Sequence, residues 1–242
     1  MTITNDFSLA LAGLGSTGPA EPELLPNRLA AACTAVLPVP GAGICLFDST
    51  GIRIPVGASD RDAALAERLQ FTAAQGPCLD AHSLGCSLIA TESLIAQEWP
   101  MYYDSLVSRT PFRAVIAVPL TGALTGIGTI DLYFHQSRGV ADLNMIDTEQ
   151  VVTQISGLLA QHPVFGVVTD GPAWLGDPAA EARSAVFIAM GLLNIALDVT
   201  THDALTLMRA RAYATDRSVD DVAADLVHHR MPTEEFRLDH DA

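Results

Sequence analysis

The sequence predicts an α+β protein in which helices flank an antiparallel sheet, followed by a separate bundle of three helices. Over the first two thirds of the chain, segments of helical and strand periodicity follow the order helix, hairpin, helix, loop excursion, hairpin, helix. Short turn sequences join the strands of each pair, which favours antiparallel pairing. Beyond residue 178 only the helical periodicity remains.

Composition and charge limit the functions that the chain can carry. The 242 residues suffice for one large or two modest domains, and with 49% apolar and 17% charged residues the chain is expected to fold. The formal charge is −15 and every basic side chain is Arg. Such a surface repels nucleic acid on average and offers no polybasic membrane anchor. Binding to nucleic acid would therefore need a local cluster of arginines.

The sequence predicts a cytoplasmic protein that does not associate with a membrane. The N-terminus lacks a cationic segment before its short apolar run. The longest uncharged stretch, 114–130, contains Pro119 and several glycines, and 184–197 is too short to span a bilayer. Four cysteines without a Cys-x-x-Cys pair fit reduced thiols and argue against a zinc site.

The first elements form a helix and a hairpin. Residues 1–21 contain Gly, Ser and Thr and are predicted to be a flexible N-terminus. A helix is predicted after Pro26. Strands over 41–47 and 52–56 are predicted to pair, because Asp48-Ser-Thr-Gly51 supplies turn residues between them.

The next segments complete the first domain, predicted over 22–160. Residues 60–70 form an amphipathic helix with Leu65 and Leu69 on one face and Glu67 elsewhere. Gly76-Pro77 forbids a continuous helix, which predicts a shaped loop leading into a short helix. The remaining predicted elements are a brief strand at 87–90, a helix after Trp99-Pro100, a hairpin of 113–120 with 127–134, and a helix over 141–160.

This first domain resembles the GAF family of sensory domains. The resemblance is carried by Gln75-Gly-Pro-Cys-Leu-Asp-Ala81, by Trp99-Pro100, and by Arg113–Leu120 leading into Gly128–Tyr133. It departs from the family at Gln75, where an acid is usual. The resemblance implies a sensor of a small-molecule ligand or of redox state, with its pocket between the sheet and the loop excursion. It names no ligand, so the cofactor is unknown.

Four residues are candidates for ligand binding in this domain: Cys78, Asp80, His82 and Asp131. Each also has a structural interpretation, because a free Cys is often buried, a single His is often only hydrogen-bonded, and Asp often caps or turns. Cys78 and Cys86 lie across a loop and could form a redox couple, as in the GAF-fold methionine sulfoxide reductases. The chain shows no Ser-His-Asp order, phosphate-binding glycine loop or HExxH motif, so we expect no enzymatic activity.

The last quarter of the chain reads as three short helices. Residues 161–177 form the predicted linker, whose run Val164–Val168 and Trp174 are apolar enough to favour packing on a domain or on a partner subunit. The three-helix domain is predicted over 178–230, followed by a tail, 231–242. Its second and third helices begin with capping patterns: Thr200 with Asp203, and Ser218 with Asp221.

This C-terminal segment resembles the ANTAR family, whose three-helix modules bind RNA hairpins in transcription antitermination. The matching motifs are Ala189–Leu193, Ala204–Arg209, Tyr213-Ala214, Arg217 and Asp221–Val227. The family usually has Lys where this chain has Met190. If that position faces phosphate, loss of the cation weakens RNA binding.

The RNA-binding candidates are Arg209, Arg211, Tyr213 and Arg217. Arg can pair bidentately with phosphate, and Tyr can stack on an unpaired loop base. Ion pairing with nearby Asp residues is the structural alternative for Arg209. From residue 181 onward six Arg face eleven acids, so RNA binding would depend on a focused patch.

Three functional interpretations follow from the sequence. The first is a signal-responsive antiterminator that acts as a homodimer on an RNA hairpin partner, with helices 141–160 and 178–197 as dimer surfaces. The second is a helix-turn-helix regulator that binds DNA through 201–229. The third is a redox enzyme using Cys78 and Cys86, or a sensor that acts only through protein contacts.

Overall fold

The protein is α+β, as the sequence predicts. A computed structural model describes residues 2–15, 25–48, 51–161 and 178–237. The chain divides into two compact units, Met1–Trp174 and Leu175–Ala242. All of the predicted linker after Gln161 lies outside the described residues.

The first unit is built on a five-stranded antiparallel sheet of order β2-β1-β5-β4-β3. Both predicted hairpins are present, since β1 pairs with β2 and β4 pairs with β5. Strand β5 is central because it also pairs with β1. The strands are β1 (Gly41–Phe47), β2 (Arg53–Ala58), β3 (Leu88–Ala90), β4 (Ala114–Pro119) and β5 (Gly128–Phe134).

In the described part of the first unit, seven α-helices accompany this sheet. The short helix predicted after Gly76-Pro77 is present as α4, and a second short helix, α5, precedes Trp99. The last helix, α7, begins later than predicted because 137–142 forms a 3-10 helix and Asn144 then caps α7. The helices are α1 (Ile3–Leu14), α2 (Leu25–Val36), α3 (Arg61–Ala73), α4 (Pro77–Leu84), α5 (Glu92–Glu98), α6 (Pro100–Arg109) and α7 (Met145–Ala160).

Strand alternation separates the two faces of the sheet. Even-numbered residues of the central strands, such as Ile44 and Leu132, pack with residues of α1, α2 and α7 in one apolar core. Odd-numbered residues face α3, α4 and α6, and there an apolar cluster around Tyr102 and Leu106 adjoins buried polar side chains. Because helices cover both faces, strands β1 and β5 are buried almost throughout.

The prediction of a flexible N-terminus is wrong for residues 3–14. These residues form α1, whose Phe7 is fully buried in the apolar core. Ile3, Phe7, Ala10 and Leu11 recur at helical spacing and all pack against that core. The Gly, Ser and Thr residues that follow this helix resemble a flexible segment in composition, which conceals the apolar face in the sequence.

The second unit contains the three predicted helices: α8 (Pro178–Leu197), α9 (Thr201–Ala214) and α10 (Val219–Val227). Both capping boxes are confirmed, because the hydroxyl of each cap accepts from the backbone N–H of its acidic partner and each carboxylate accepts in return. A 3-10 helix follows at 233–236. Met231 and Phe236 are buried, so the first half of the predicted tail belongs to this unit.

Membrane-spanning potential is weak in the described residues. No single helix among them is long and apolar enough to cross a membrane. Ser184–Leu197 and Thr201–Ala214 meet the length and composition criteria only as a pair, and this pair is bent by 106°.

Candidate functional site

A cluster of polar side chains lies buried between the odd-numbered face of the sheet and helix α3. It comprises Arg53 of β2, Glu67 and Gln70 of α3, and Thr129 and Asp131 of β5, each at most 1% exposed. Charged side chains are rarely buried so completely unless they are paired. This cluster is therefore the most unusual chemical feature of the first unit.

Arg53 is the centre of the cluster. Its Nη1 donates to the backbone carbonyl of Glu67 at 2.9 Å, and its Nη2 forms an ion pair with the Glu67 carboxylate. The same Nη2 lies 3.5 Å from Oδ2 of Asp131, and Nε donates to Sγ of Cys78 at 2.9 Å. One guanidinium thus joins strand β2 to α3, to α4 and to the central strand.

The two carboxylates share further donors. Tyr133 donates its hydroxyl to Oε1 of Glu67 at 2.6 Å, and Gln70 donates Nε2 to Oδ2 of Asp131 at 2.6 Å. Oδ1 of Asp131 is buried without a hydrogen-bond partner. Burial, followed by the negative charge of Glu67, raises the pKa of Asp131 well above its usual range, although the Arg53 charge opposes this. Asp131 accordingly keeps its proton to a higher pH than an ordinary aspartate does.

Two cysteines complete the cluster. Sγ of Cys45, on β1, lies 2.9 Å from Sγ of Cys78, the second residue of α4. Oγ1 of Thr129 lies 3.1 Å from the first sulfur and 2.9 Å from the second. Both cysteines are buried and free.

The two thiols titrate as a pair. Burial raises the pKa of both, but the hydrogen bond from Cys78 and the charge of Arg53 stabilise a thiolate at Cys45, whose pKa is lowered. The pKa of Cys78 is raised well above its ordinary value by burial and by its hydrogen bond to Cys45. The pair therefore loses one proton readily and holds the second.

Two glycines give the cluster its space. A Cβ at Gly43 would overlap the side chain of Glu67, and a Cβ at Gly76 would overlap that of Gln70. Gly76 also has φ +146°, a backbone conformation that residues other than glycine rarely adopt. Because Gly76 has no side chain, there is room for Gln70 beside it. Oε1 of Gln70 accepts a hydrogen bond from the backbone N–H of Cys78 at 3.2 Å.

The four predicted ligand-binding residues do not form one site. Cys78 and Asp131 both contact Arg53 in the buried cluster. Asp80 accepts a hydrogen bond from Nε1 of Trp99 at 3.2 Å. His82 stacks on Phe47 with ring centroids 3.6 Å apart, and partial burial lowers its pKa. The structure thus brings Cys78 and Asp131 together and gives Asp80 and His82 other contacts.

The predicted couple of Cys78 and Cys86 is also replaced by another pair. Cys86 is exposed after the end of α4, whereas Cys78 is buried against Cys45. Within the described residues, no group of three or more His, Cys, Asp or Glu side chains is placed to hold a metal ion.

Sequence reasoning missed Arg53, Glu67, Gln70 and Cys45. The assignment of Glu67 to the outer side of its helix is wrong, since it is buried with Ala63, Ala66 and Gln70 at spacing i, i+3, i+4, i+7. The small alanines were the available signal, because a face built from Ala leaves room for one long polar side chain. Apolar periodicity weights leucine above alanine, so it identified Leu65 and Leu69, which do pack in this cluster, but not the alanine face beside them.

Two of the four RNA-binding candidates of the second unit form ion pairs. Arg211 pairs with Glu235, and Nη2 of Arg217 lies 2.7 Å from Oδ2 of Asp225 and 3.0 Å from the carbonyl oxygen of Asp221. These contacts direct Arg211, on α9, toward the 3-10 helix, and Arg217, in the turn after α9, toward α10. In each ion pair a carboxylate already neutralises part of the arginine charge, which weakens that arginine as a phosphate ligand.

Arg209 and Tyr213 share one side of α9. Their spacing of four residues places them one turn apart, and Tyr213 is 69% exposed. Thr206, three residues before Arg209, is exposed on the same side. The structure therefore separates Arg209 and Tyr213, on one side of α9, from Arg211 and Arg217.

Met190 does not face solvent. It is only 2% exposed and lies among the buried residues of α8 together with Ala189 and Leu193. The expectation of a lost phosphate contact at this position is thus wrong, because an inward side chain cannot reach a ligand on the surface.

Comparisons with known proteins identify no family. No model of a protein family matches the chain, and no curated protein matches it. One similar solved structure is a domain described as part of a two-component sensor histidine kinase protein from Sinorhizobium meliloti 1021. The similarity has 16% identity and a TM-score of 0.41, and it covers 55% of this chain and 87% of that chain. A TM-score this low supports no argument about fold family or function.

Proposed function

We propose that this protein is a signal-responsive regulator of transcription, in which the first unit senses a small ligand or redox state and the second binds RNA hairpins. The observation that carries the sensory role is the buried cluster around Arg53. A fold gains little stability from burying charges, because desolvation offsets most of their attraction. A charged cluster beneath an otherwise apolar sheet is better explained by a function.

Two residues of α9 support the RNA-binding role. Arg209 and Tyr213 combine a cation for phosphate with a ring that can stack on an unpaired base. Binding through α10 would be opposed by its charge, since Asp220, Asp221 and Asp225 lie on that short helix. A recognition helix in the major groove of DNA approaches two phosphate backbones, so the helix-turn-helix alternative has little physical support.

Exposed apolar residues support self-association. On α8, Ile188 and Ile195 lie seven residues apart, and Ile195 is 87% exposed. On α7, Ile146 and Leu158 are also exposed. Helix faces of this kind fit a second copy of the chain better than water, and we infer a homodimer.

The RNA-binding role is tested with a pool of RNA stem-loops carrying randomised loops and with duplex DNA of equal length. Arg209→Ala and Tyr213→Ala are expected to weaken stem-loop binding, and Arg209→Ala is expected to reduce the salt slope by about one. Arg109→Ala removes an equal charge from an exposed site of the first unit and serves as the matched control. Equal loss in the control, or preference for the duplex, would reject the assignment to α9.

The dimer is tested by sedimentation velocity of the full chain. Ile195→Glu is expected to yield monomers at concentrations at which the wild type is dimeric. Leu84→Glu alters an equally large exposed residue on α4 and is expected to leave the oligomeric state unchanged.

A further inference from the structure

Cys45 and Cys78 are close enough to form a disulfide bond. Their sulfurs are 2.9 Å apart, and a disulfide bond of about 2.05 Å would require a movement of about 0.9 Å. The residues are far apart in sequence and come from β1 and α4. Two free thiols at this distance can be linked without rearrangement of the sheet.

We propose that Cys45 and Cys78 are a redox-active pair that hydrogen peroxide converts into an intramolecular disulfide. This inference deepens the proposed sensory role by naming its signal, and in that respect it rests on the proposed function. The existence of the pair, however, does not depend on RNA binding.

The reaction proceeds in two balanced steps. The thiolate of one cysteine attacks one peroxide oxygen, so that an S–O bond forms, the O–O bond breaks and the departing hydroxide takes up a proton as water. The thiol of the other cysteine then attacks the sulfur of the resulting sulfenic acid and loses its proton. The S–S bond forms, the S–O bond breaks and a second water leaves. Each sulfur loses one electron, and the peroxide gains two.

The surroundings favour one thiolate in the pair. Oγ1 of Thr129 lies 3.1 Å from Sγ of Cys45 and 2.9 Å from Sγ of Cys78, and Nε of Arg53 donates to Sγ of Cys78 at 2.9 Å. These groups stabilise a thiolate, which is the reactive form. Cys33 offers the opposite environment, because it lies in the apolar core and burial raises its pKa to about 12.

Oxidation would change the charge within the cluster. A disulfide carries no charge, so the anion at Cys45 that raises the pKa of Asp131 is removed. The pKa of Asp131 therefore falls on oxidation, and Nε of Arg53 then faces an uncharged disulfide sulfur. Through Glu67 and Gln70 this change reaches α3, which connects the redox state to the helix layer.

The test uses the full chain carrying Cys33→Ala and Cys86→Ser. Trypsin cleaves only after arginine here, and it releases Cys45 within residues 29–53 and Cys78 within 69–109. In this background each of these peptides holds one cysteine, so a linked pair has only one assignment. The protein is treated with hydrogen peroxide, alkylated under denaturing conditions, digested and analysed by mass spectrometry with and without dithiothreitol.

The expected product is the linked pair of peptides, lacking two hydrogens and released by dithiothreitol. The same variant with Cys45→Ser should yield no linked pair, and the wild-type chain, in which fragmentation locates the bond, guards against a folding defect in the background. Arg53→Lys is expected to raise the pH at which oxidation becomes fast, because it removes the Nε contact to Cys78.

The result that overturns the proposal is full alkylation of both cysteines after a peroxide exposure that oxidises the exposed Cys86 of the wild type. Conversion to sulfinic acid without a linked pair would equally overturn it. A disulfide that forms in a chain without affinity for RNA stem-loops would sustain the redox pair and reject the proposed RNA-binding role.

Discussion

Replacing Arg53 by Met tests how the buried cluster is held together. The variant keeps most of the side-chain volume but removes the charge that faces Glu67 and Asp131. At 3.5 Å and an effective dielectric constant near 20, one such attraction amounts to about 5 kcal/mol. Relief of the Arg53 desolvation offsets part of it, and breaking a buried pair by removing one partner costs about 3–5 kcal/mol. We expect the melting temperature of the first unit to fall by roughly 10 °C.

The pH dependence of the free energy of unfolding gives a second test of this electrostatic account. The pKa of Asp131 in the folded protein lies above its unfolded value, so its protonated form stabilises the fold at low pH and this contribution is lost as pH rises through the folded pKa. Arg53 lowers that pKa in the wild type. Without Arg53 the pKa rises further, and the variant should lose more stability than the wild type as pH rises above the ordinary pKa of an aspartate.

The assay is urea unfolding followed by circular dichroism at several pH values. Arg109→Met is the matched control, because it removes an equal charge from an exposed position of the first unit; exposed charges contribute about 1 kcal/mol or less. Combining Arg53→Met with Glu67→Leu should recover part of the loss, since the pair is then removed as a whole. An Arg53→Met chain within 1 kcal/mol of the wild type at every pH, by the standard of exposed pairs, would refute the electrostatic account.

Three other substitutions probe separate features. Gly76→Ala should destabilise the first unit by about 1–3 kcal/mol, more than Gly85→Ala, whose Cβ would enter open space; thermal unfolding of both variants measures the difference. Met190→Lys should lower the unfolding free energy of the second unit without strengthening stem-loop binding, because a buried position cannot present the cation; stronger binding with unchanged stability would contradict this. Hydrogen bonds from Arg230 and Arg217 hold the pKa of Asp225 below its usual range, a stabilisation present at neutral pH and lost as pH falls through that pKa. Arg230→Ala should raise that pKa, and NMR titration that finds it unchanged would reject the ion pair.

Local signals were sufficient for most of the secondary structure. Capping patterns depend on residues three apart, so Thr200 and Ser218 could be assigned as helix starts from the sequence. Turn residues likewise predicted the pairing of β1 with β2. The failures occurred where small residues carried the pattern, as in α1 and on the Ala63 face of α3, because alanine gives a weak hydrophobic signal.

The candidate site was only partly predictable. Cys78 and Asp131 were found through a family resemblance, but Arg53 sits between Ile52 and Ile54 and strand alternation favours the isoleucines as the inward side. Helices cover both faces of this sheet, so either side of β2 can be buried. Which side receives the charge depends on Glu67 and Asp131, which lie on other elements.

The sequence by itself determined the α+β class, the two hairpins and the three capped C-terminal helices, because each depends on interactions between residues close along the chain. Only the tertiary structure decided that Cys45 would meet Cys78, that Glu67 would turn inward and that Met190 would be buried. Those outcomes depend on strand register and on helix rotation about the sheet, and they decide which polar groups from distant segments neutralise one another away from water.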